Sequence, residues 1–377
     1  MPIRETVEIG LNRFARRGYD LDEVSIVPSR RTRDVDDVST AWQIDAFRFE
    51  IPLVTSPSDA VVSPATAIAV GQAGGLGVLN AEGLWARHAD AEGALARVAE
   101  AAASDDPDAA VRVLQELHSA AIRPDLLTEA LRSVREAGVT VAARVSPQRA
   151  RELTPVVLAA GVEVLVVQGT IVSAEHVSVG EPLNLKEFIA SLEIPVVAGG
   201  VGDYRTAMHL MRTGAAGVIV GYGESSATTT DAVLGIGVPM ATAIVDAAAA
   251  RRDYLDETGG RYVHVIADGG IHHSGDLAKA IACGADAVML GEQLTDVADS
   301  PGRGLYWTSA AAHPSLPRSE VTGFGGPGTK DLETVLFGPA CAAHGSVNLF
   351  GALRRAMAKT GYSDLKEFQR VGLTVRS

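Results

Sequence analysis

Three stretches of this sequence combine glycine, hydroxyl and carboxylate residues in a way that suits holding a phosphorylated ligand. In the first, Val218-Ile219-Val220 runs into Gly221-Tyr222-Gly223, then Glu224-Ser225-Ser226-Ala227 and three threonines, Thr228, Thr229 and Thr230. The second reads Ala267-Asp268-Gly269-Gly270-Ile271, and the third Met289-Leu290-Gly291. Glycine lets a backbone approach an anion closely, while free N–H groups and Ser/Thr hydroxyls supply donors. A tight turn is the competing reading of each glycine pair. Asp268, just ahead of its glycines, is placed to accept hydrogen bonds from a ribose diol. The alternative, a cap on the helix beginning near Ser274, suffers from its distance to that helix. Ser56, in Thr55-Ser56-Pro57-Ser58-Asp59, is a further hydroxyl able to touch a base or sugar, and Ser58 or Asp59 could equally cap the next helix.

The elements that must position these residues follow from hydropathy. Continuous apolar runs occur at 51–55, 77–79, 139–145, 162–167, 194–198, 217–220, 262–267 and 287–290. Runs without alternation indicate strands of a parallel sheet buried on both faces. Helical spacing fills the intervals at 64–72, 148–160, 204–212, 238–257 and 274–282. Eight strand–helix units predict a (β/α)8 barrel, favoured over an open doubly wound sheet, with one domain spanning 1–377. In such barrels the strand seven and eight ends commonly form a phosphate site. The Ala-rich segment 86–138 reads as two or three surface helices replacing one crossover, and 170–186 as a loop on the active face. The tail over 301–345 is rich in glycine and proline, and its 314–330 part reads as a flap over the barrel mouth or a disordered loop. Helical patterns return at 349–359 and 364–371.

Composition narrows the class. The chain has 377 residues, a hydrophobic fraction of 47% and a net charge of −13. The core is large, and the charge argues against a nucleic-acid surface without excluding a small anion bound by backbone amides. Two cysteines, Cys283 and Cys341, make no disulfide framework and predict a reducing, cytoplasmic setting. Cys283 reads as a buried small hydrophobe in a helix. Neither a signal peptide nor an apolar run long enough to span a bilayer is recognisable. The nine histidines show no metal-ligand spacing, and no metal site is expected. Gly74-Gly75-Leu76-Gly77 reads as close packing, and His272 and His273 as a helix start.

Taken in order, DLDEVSIVPSR, PLVTSPSDAV, GGLGVLN, AGGVGD, VGYGESSATTTD, VPMATAI, ADGGI, VMLGEQL and NLFGALRRAMAKTGYSDLKEFQ resemble the IMP dehydrogenase/GMP reductase family across nearly the whole chain. The nearest likeness is to its short bacterial branch without CBS domains. The resemblance implies a homotetrameric barrel acting in GMP biosynthesis, with NAD as cofactor and a purine mononucleotide as ligand. By position, Ser56, Gly221, Gly223 and Ser226 would meet the nucleotide, Asp268 its ribose, and Gly269, Gly270 and Gly291 its phosphate. Thr228 and Thr230 take the catalytic loop positions, and Gln168 and Gly200 the cofactor positions.

The same alignment exposes departures. Thr228 stands where the family has the cysteine that attacks C2 of the purine, and an alcohol needs a strong base to do that work. Gln168-Gly169 replaces Asp-Ser, Gly200 replaces an asparagine, and no counterpart of the water-activating Arg-Tyr pair occurs. Glu292 replaces a phosphate-contacting serine, and a carboxylate there would repel a phosphate. The monovalent-cation site is built from carbonyls of the changed loop. The expectation is an IMP-to-XMP, NAD-linked oxidoreductase by resemblance, with turnover very slow or undetectable. A silent purine-nucleotide-binding sensor or assembly subunit is the first alternative. An FMN-dependent barrel oxidoreductase, with similar GGLG and ADGGI strand ends, is the second.

Overall fold

The computed structural model describes residues 6–176, 182–323 and 326–376. Eight strands form its central sheet: Leu53–Thr55 (β1), Val78–Asn80 (β2), Ala142–Val145 (β3), Val164–Gln168 (β4), Val196–Val201 (β5), Gly217–Glu224 (β6), His264–Gly269 (β7) and Ala287–Leu290 (β8). Their order around the sheet is β1-β8-β7-β6-β5-β4-β3-β2, all neighbours parallel. A parallel bridge between Val54 and Leu76 joins the two ends, with the Leu76 N–H donating to the Leu53 carbonyl at 2.8 Å. The result is the (β/α)8 barrel expected from the apolar runs. Those runs do not alternate because the barrel strands are buried on both faces.

The outer layer begins with Pro64–Gln72 (α1), started by Ser63 in a capping box with Thr66. Ser58 and Asp59, the expected alternatives, do not cap it. Ser58 donates to the Trp307 carbonyl, and Asp59 lies 3.4 Å from His118. Both are drawn away because they sit in the turn directly over the end of β1. Gly77 lets α1 lie on β2, since a Cβ there would stand 2.6 Å from the Ala67 Cα. The β2–β3 crossover holds three helices, Ala91–Ala102 (α2), Ala109–Ser119 (α3) and Pro124–Glu136 (α4). Each turns one apolar stripe inward, as Leu127, Leu131 and Val134 do on α4. Ala150–Ala159 (α5), Leu185–Ala190 (α6), Tyr204–Arg212 (α7), Thr230–Leu234 (α8), Met240–Thr258 (α9) and Ser274–Cys283 (α10) follow. The loop expected over 170–186 is described up to His176, and 177–181 lie outside the described residues.

The chain ends with Leu332–Phe337 (α11), Leu349–Thr360 (α12) and Leu365–Phe368 (α13), and α12 packs on α10. A buried ion pair ties α13 and α9 to the start of β8. Arg251 Nη1 lies 2.6 Å from Asp286 Oδ2, Tyr262 donates to Asp286 Oδ1 at 2.8 Å, and Lys366 reaches the same carboxylate. Burial alone would raise the Asp286 pKa, but Arg251 and Lys366 hold it well below the usual carboxylate range. Removing one partner of such a pair strands the other charge. Arg251→Met is expected to cost about 3–5 kcal/mol in urea denaturation. A loss of less than about 1 kcal/mol would show that Lys366 alone keeps Asp286 satisfied.

Candidate functional site

β6 does not stop at Val220, as its sequence suggested, but continues to Glu224. The cause is a bulge. Its register against β7 shifts after Val220, so that Glu224 pairs with Gly269 and the Glu224 carbonyl accepts from the Gly270 N–H at 3.0 Å. Gly221 makes this possible, with φ of +107° and a position where a Cβ would stand 2.1 Å from the Asp268 carbonyl. The loop beyond is clamped by the tail segment. Glu320 donates its N–H to the Ala227 carbonyl at 2.8 Å, and Thr229 donates to the Arg318 carbonyl at 3.0 Å. The 314–330 stretch therefore lies against the barrel mouth, though 324–325 fall outside the described residues. Inside the clamp, the Thr228 hydroxyl donates to the Gly223 carbonyl and sits 3.0 Å from Ser225 Oγ. Neither partner is a base. Thr230, at the start of α8, is buried.

Ser56, Gly223, Asp268, Gly269 and Gly291 converge on one small cavity, as the sequence proposed, together with Glu224, Glu292 and Tyr306. Its volume is about 20 Å³, room for about one water molecule. Two amides of the supposed phosphate cradle are already bonded within the chain. Ser226 N–H donates to Glu292 Oε2 at 3.0 Å, and Gly291 N–H to Gln293 Oε1 at 3.3 Å. Tyr306, from the tail, stands over Gly291, where a Cβ would lie 2.4 Å from its hydroxyl oxygen. That hydroxyl reaches Ser56 Oγ at 3.4 Å. Ser226 and Gly270 do not line the cavity.

Three carboxylates, Glu224, Asp268 and Glu292, line this cavity, and among the described residues no basic side chain does. Burial pushes Asp268 up to about 7, with a further rise from Glu224. Gln168 opposes it by donating to Asp268 Oδ2 at 2.9 Å. Glu224 is also pushed up to about 7, again mainly by burial. Asp268 does not cap α10. Asp276 does that, accepting from the N–H groups of His272 and His273 at 3.2 and 3.1 Å.

A much larger cavity, about 710 Å³, opens beside it and shares Ser56, Gly223 and Asp268. Gly221, Thr228, Thr230 and Gln168 line it as well. Four guanidinium groups reach it, those of Arg87, Arg144, Arg149 and Arg318. Sequence reasoning passed over all four. The available signal was Arg144 itself, a charge inside the apolar strand AARV. Of the expected cofactor residues, Gln168 reaches the cavity, with its amide nitrogen committed to Asp268 and its Oε1 unpartnered among the described residues. Gly200 does not line it, because it packs on the Gly221 carbonyl. With Gly200 turned away and the Gln168 amide nitrogen held by Asp268, the pair does not form the polar anchor that a nicotinamide needs. Cys283 is buried at the end of α10, which pushes its thiol up to about 12, and Cys341 is exposed. The described residues hold no group of His, Cys, Asp and Glu suited to a metal.

The acid pair makes a pH prediction. Both folded pKa values, about 7, lie above the unfolded ones. Their contribution to stability is therefore complete below the unfolded carboxylate pKa and is lost as pH rises through 7. A tenfold change in proton affinity corresponds to about 1.4 kcal/mol. Asp268→Asn is expected to stabilise the fold at pH 8 by about 2–4 kcal/mol, with the difference shrinking toward pH 4.5. Denaturant melts at the two pH values check this, and equal stabilities at pH 8 would contradict it.

Residues 18–313 match the family model described as IMP dehydrogenase / GMP reductase domain. An uncharacterized oxidoreductase of Mycobacterium tuberculosis is 66% identical over 98% of this chain and 99% of its own length. The inosine-5'-monophosphate dehydrogenase of Haemophilus influenzae is 44% identical over 38% of this chain and 27% of its own. The crystal structure of an IMP dehydrogenase/GMP reductase-like protein from Corynebacterium glutamicum superimposes with a TM-score of 0.94, at 55% identity and 98% coverage of both chains. With the barrel, the strand-end glycines and these likenesses in agreement, the chain belongs to the IMP dehydrogenase/GMP reductase family of oxidoreductases.

Proposed function

We propose that this chain binds a purine mononucleotide at the barrel mouth and does not run the adduct-forming, NAD-linked oxidation of IMP to XMP. Its role is then that of a nucleotide sensor or of a subunit in a larger assembly. The observation that carries this is Thr228, whose hydroxyl is spent on the Gly223 carbonyl with no base among its partners. A thiol near pKa 8.5 is partly ionised at neutral pH, whereas an alcohol is not, and the gap exceeds what a typical general base supplies. Family membership supports the purine ligand over a flavin, and the buried Asp268 suits a ribose diol.

NADH formation at saturating IMP and NAD, with and without potassium, is expected to be undetectable or very slow. Thr228→Cys should recover little, since Gln168 and Gly200 remain. Robust wild-type turnover would contradict the proposal. On the binding side, at pH 8, above the Asp268 pKa of about 7, Asp268→Ala should weaken IMP by about 1.5–3 kcal/mol, the worth of hydrogen bonds to a charged group. Unchanged affinity would remove Asp268 from the site. The homotetramer suggested by the family is checked by light scattering at micromolar concentration, where a monomer would count against it.

A further inference from the structure

The geometry points to a phosphate site on the arginine side of the mouth: the phosphate of the bound ligand seats against Arg144, Arg149 and Arg318, at the β3–β4 sector, and not on the glycine loops after β6–β8. This deepens, and rests on, the reading of the chain as a nucleotide binder.

The two cavities of the mouth have opposite character. The small one beneath the glycines is lined by three carboxylates and no cation. The large one is lined by four guanidinium groups against two carboxylates, Glu82 and Asp268. Glu82 is already engaged, accepting from the Ser146 N–H and lying 3.6 Å from Arg144 Nη1 and 4.0 Å from Arg149 Nε. It offsets one positive charge at most, and Glu152, 3.3 Å from Arg149 Nη1 at the cavity's edge, offsets part of another. Arg87 and Arg318 have no carboxylate within ion-pair distance among the described residues. Arg87 donates to the carbonyls of Glu82 and Ala120, and Arg318 to the Leu316 carbonyl and Thr170 Oγ1.

Arg144 makes this more than a basic surface. It is 8% exposed, on a barrel strand, and oriented by the Gln168 carbonyl at 2.7 Å and by Asn80 Oδ1 at 3.5 Å. Its Nε and that of Arg318 are sealed from the cavity, so a ligand would meet the outer guanidinium nitrogens. A positive charge held in the wall of a cavity is costly unless an anion offsets it. Planar guanidinium groups match the oxygens of a phosphate, and several around one cavity suit a dianion. The volume, about 710 Å³, is in the range that encloses one small ligand.

Calorimetric titration of the purified full chain with IMP, inosine and ribose 5-phosphate tests the site. The variants are Arg318→Met and Arg149→Met, the second on a partly exposed side chain whose ion-pair partners are Glu152 at 3.3 Å and Glu82 at 4.0 Å. Expected is a loss of about tenfold or more in affinity for IMP and ribose 5-phosphate in each variant, with inosine unaffected. IMP binding that is equal in wild type and both variants would overturn the inference while leaving the nucleotide reading intact. Arginine-dependent binding of ribose 5-phosphate without any binding of IMP would uphold the inference and overturn the reading. No binding of any probe would overturn the inference.

Discussion

The hydrogen bond from the Ser226 N–H to the Glu292 carboxylate, at 3.0 Å, sets the polarity of the whole barrel mouth. It places an internal anion where the fold otherwise offers backbone donors to an external one. Tyr306 completes the substitution by covering Gly291. Once these two groups are in place, Asp268 and Glu224 are enclosed with a third carboxylate nearby and no cation. Burial raises both toward neutrality, helped by Glu224 at Asp268 and by Asp20 and Asp231 at Glu224. The positive charge of the mouth lies across the barrel, on the sector of β3 and β4.

Magnitudes decide which sector an anion prefers. Two unit charges about 4 Å apart interact by about 4 kcal/mol at the effective dielectric of a partly wet site. A phosphate monoester carries about 1.5–2 charges at neutral pH. Hydrogen bonds between a charged group and backbone amides return about 1.5–3 kcal/mol each, and here the Ser226 and Gly291 amides are already engaged. A carboxylate at such a distance from the phosphate would oppose that gain. Against the arginines that line the large cavity the same Coulomb figure changes sign.

Most of the barrel could be read from the chain because its strands are buried on both faces and so appear as unbroken apolar runs. The strand-end glycines were legible for a related reason, since close backbone approach and positive φ restrict the residue type. What escaped was long-range. The extension of β6 through Glu224 depends on the bulge against Gly269, which no local pattern announces. Tyr306 comes from a glycine-rich tail, and its place over Gly291 follows from the pairing of 305–306 with 322–323. Arg144 was hidden inside an apolar strand, and its meaning depends on Arg149 and Arg318 arriving from elsewhere. Thr228 and Glu292 were visible as departures from a pattern. Their consequences needed partners, the Gly223 carbonyl for one and the Ser226 amide for the other.

The central claim is that the chain has closed its own anion cradle and moved the anion site across the mouth. A crystal structure of the full chain grown with IMP tests it most directly. The account predicts the phosphate among Arg144, Arg149 and Arg318, with Glu292 still accepting from the Ser226 N–H. Phosphate density between Ser226 and Gly291, with Glu292 and Tyr306 displaced, would contradict it.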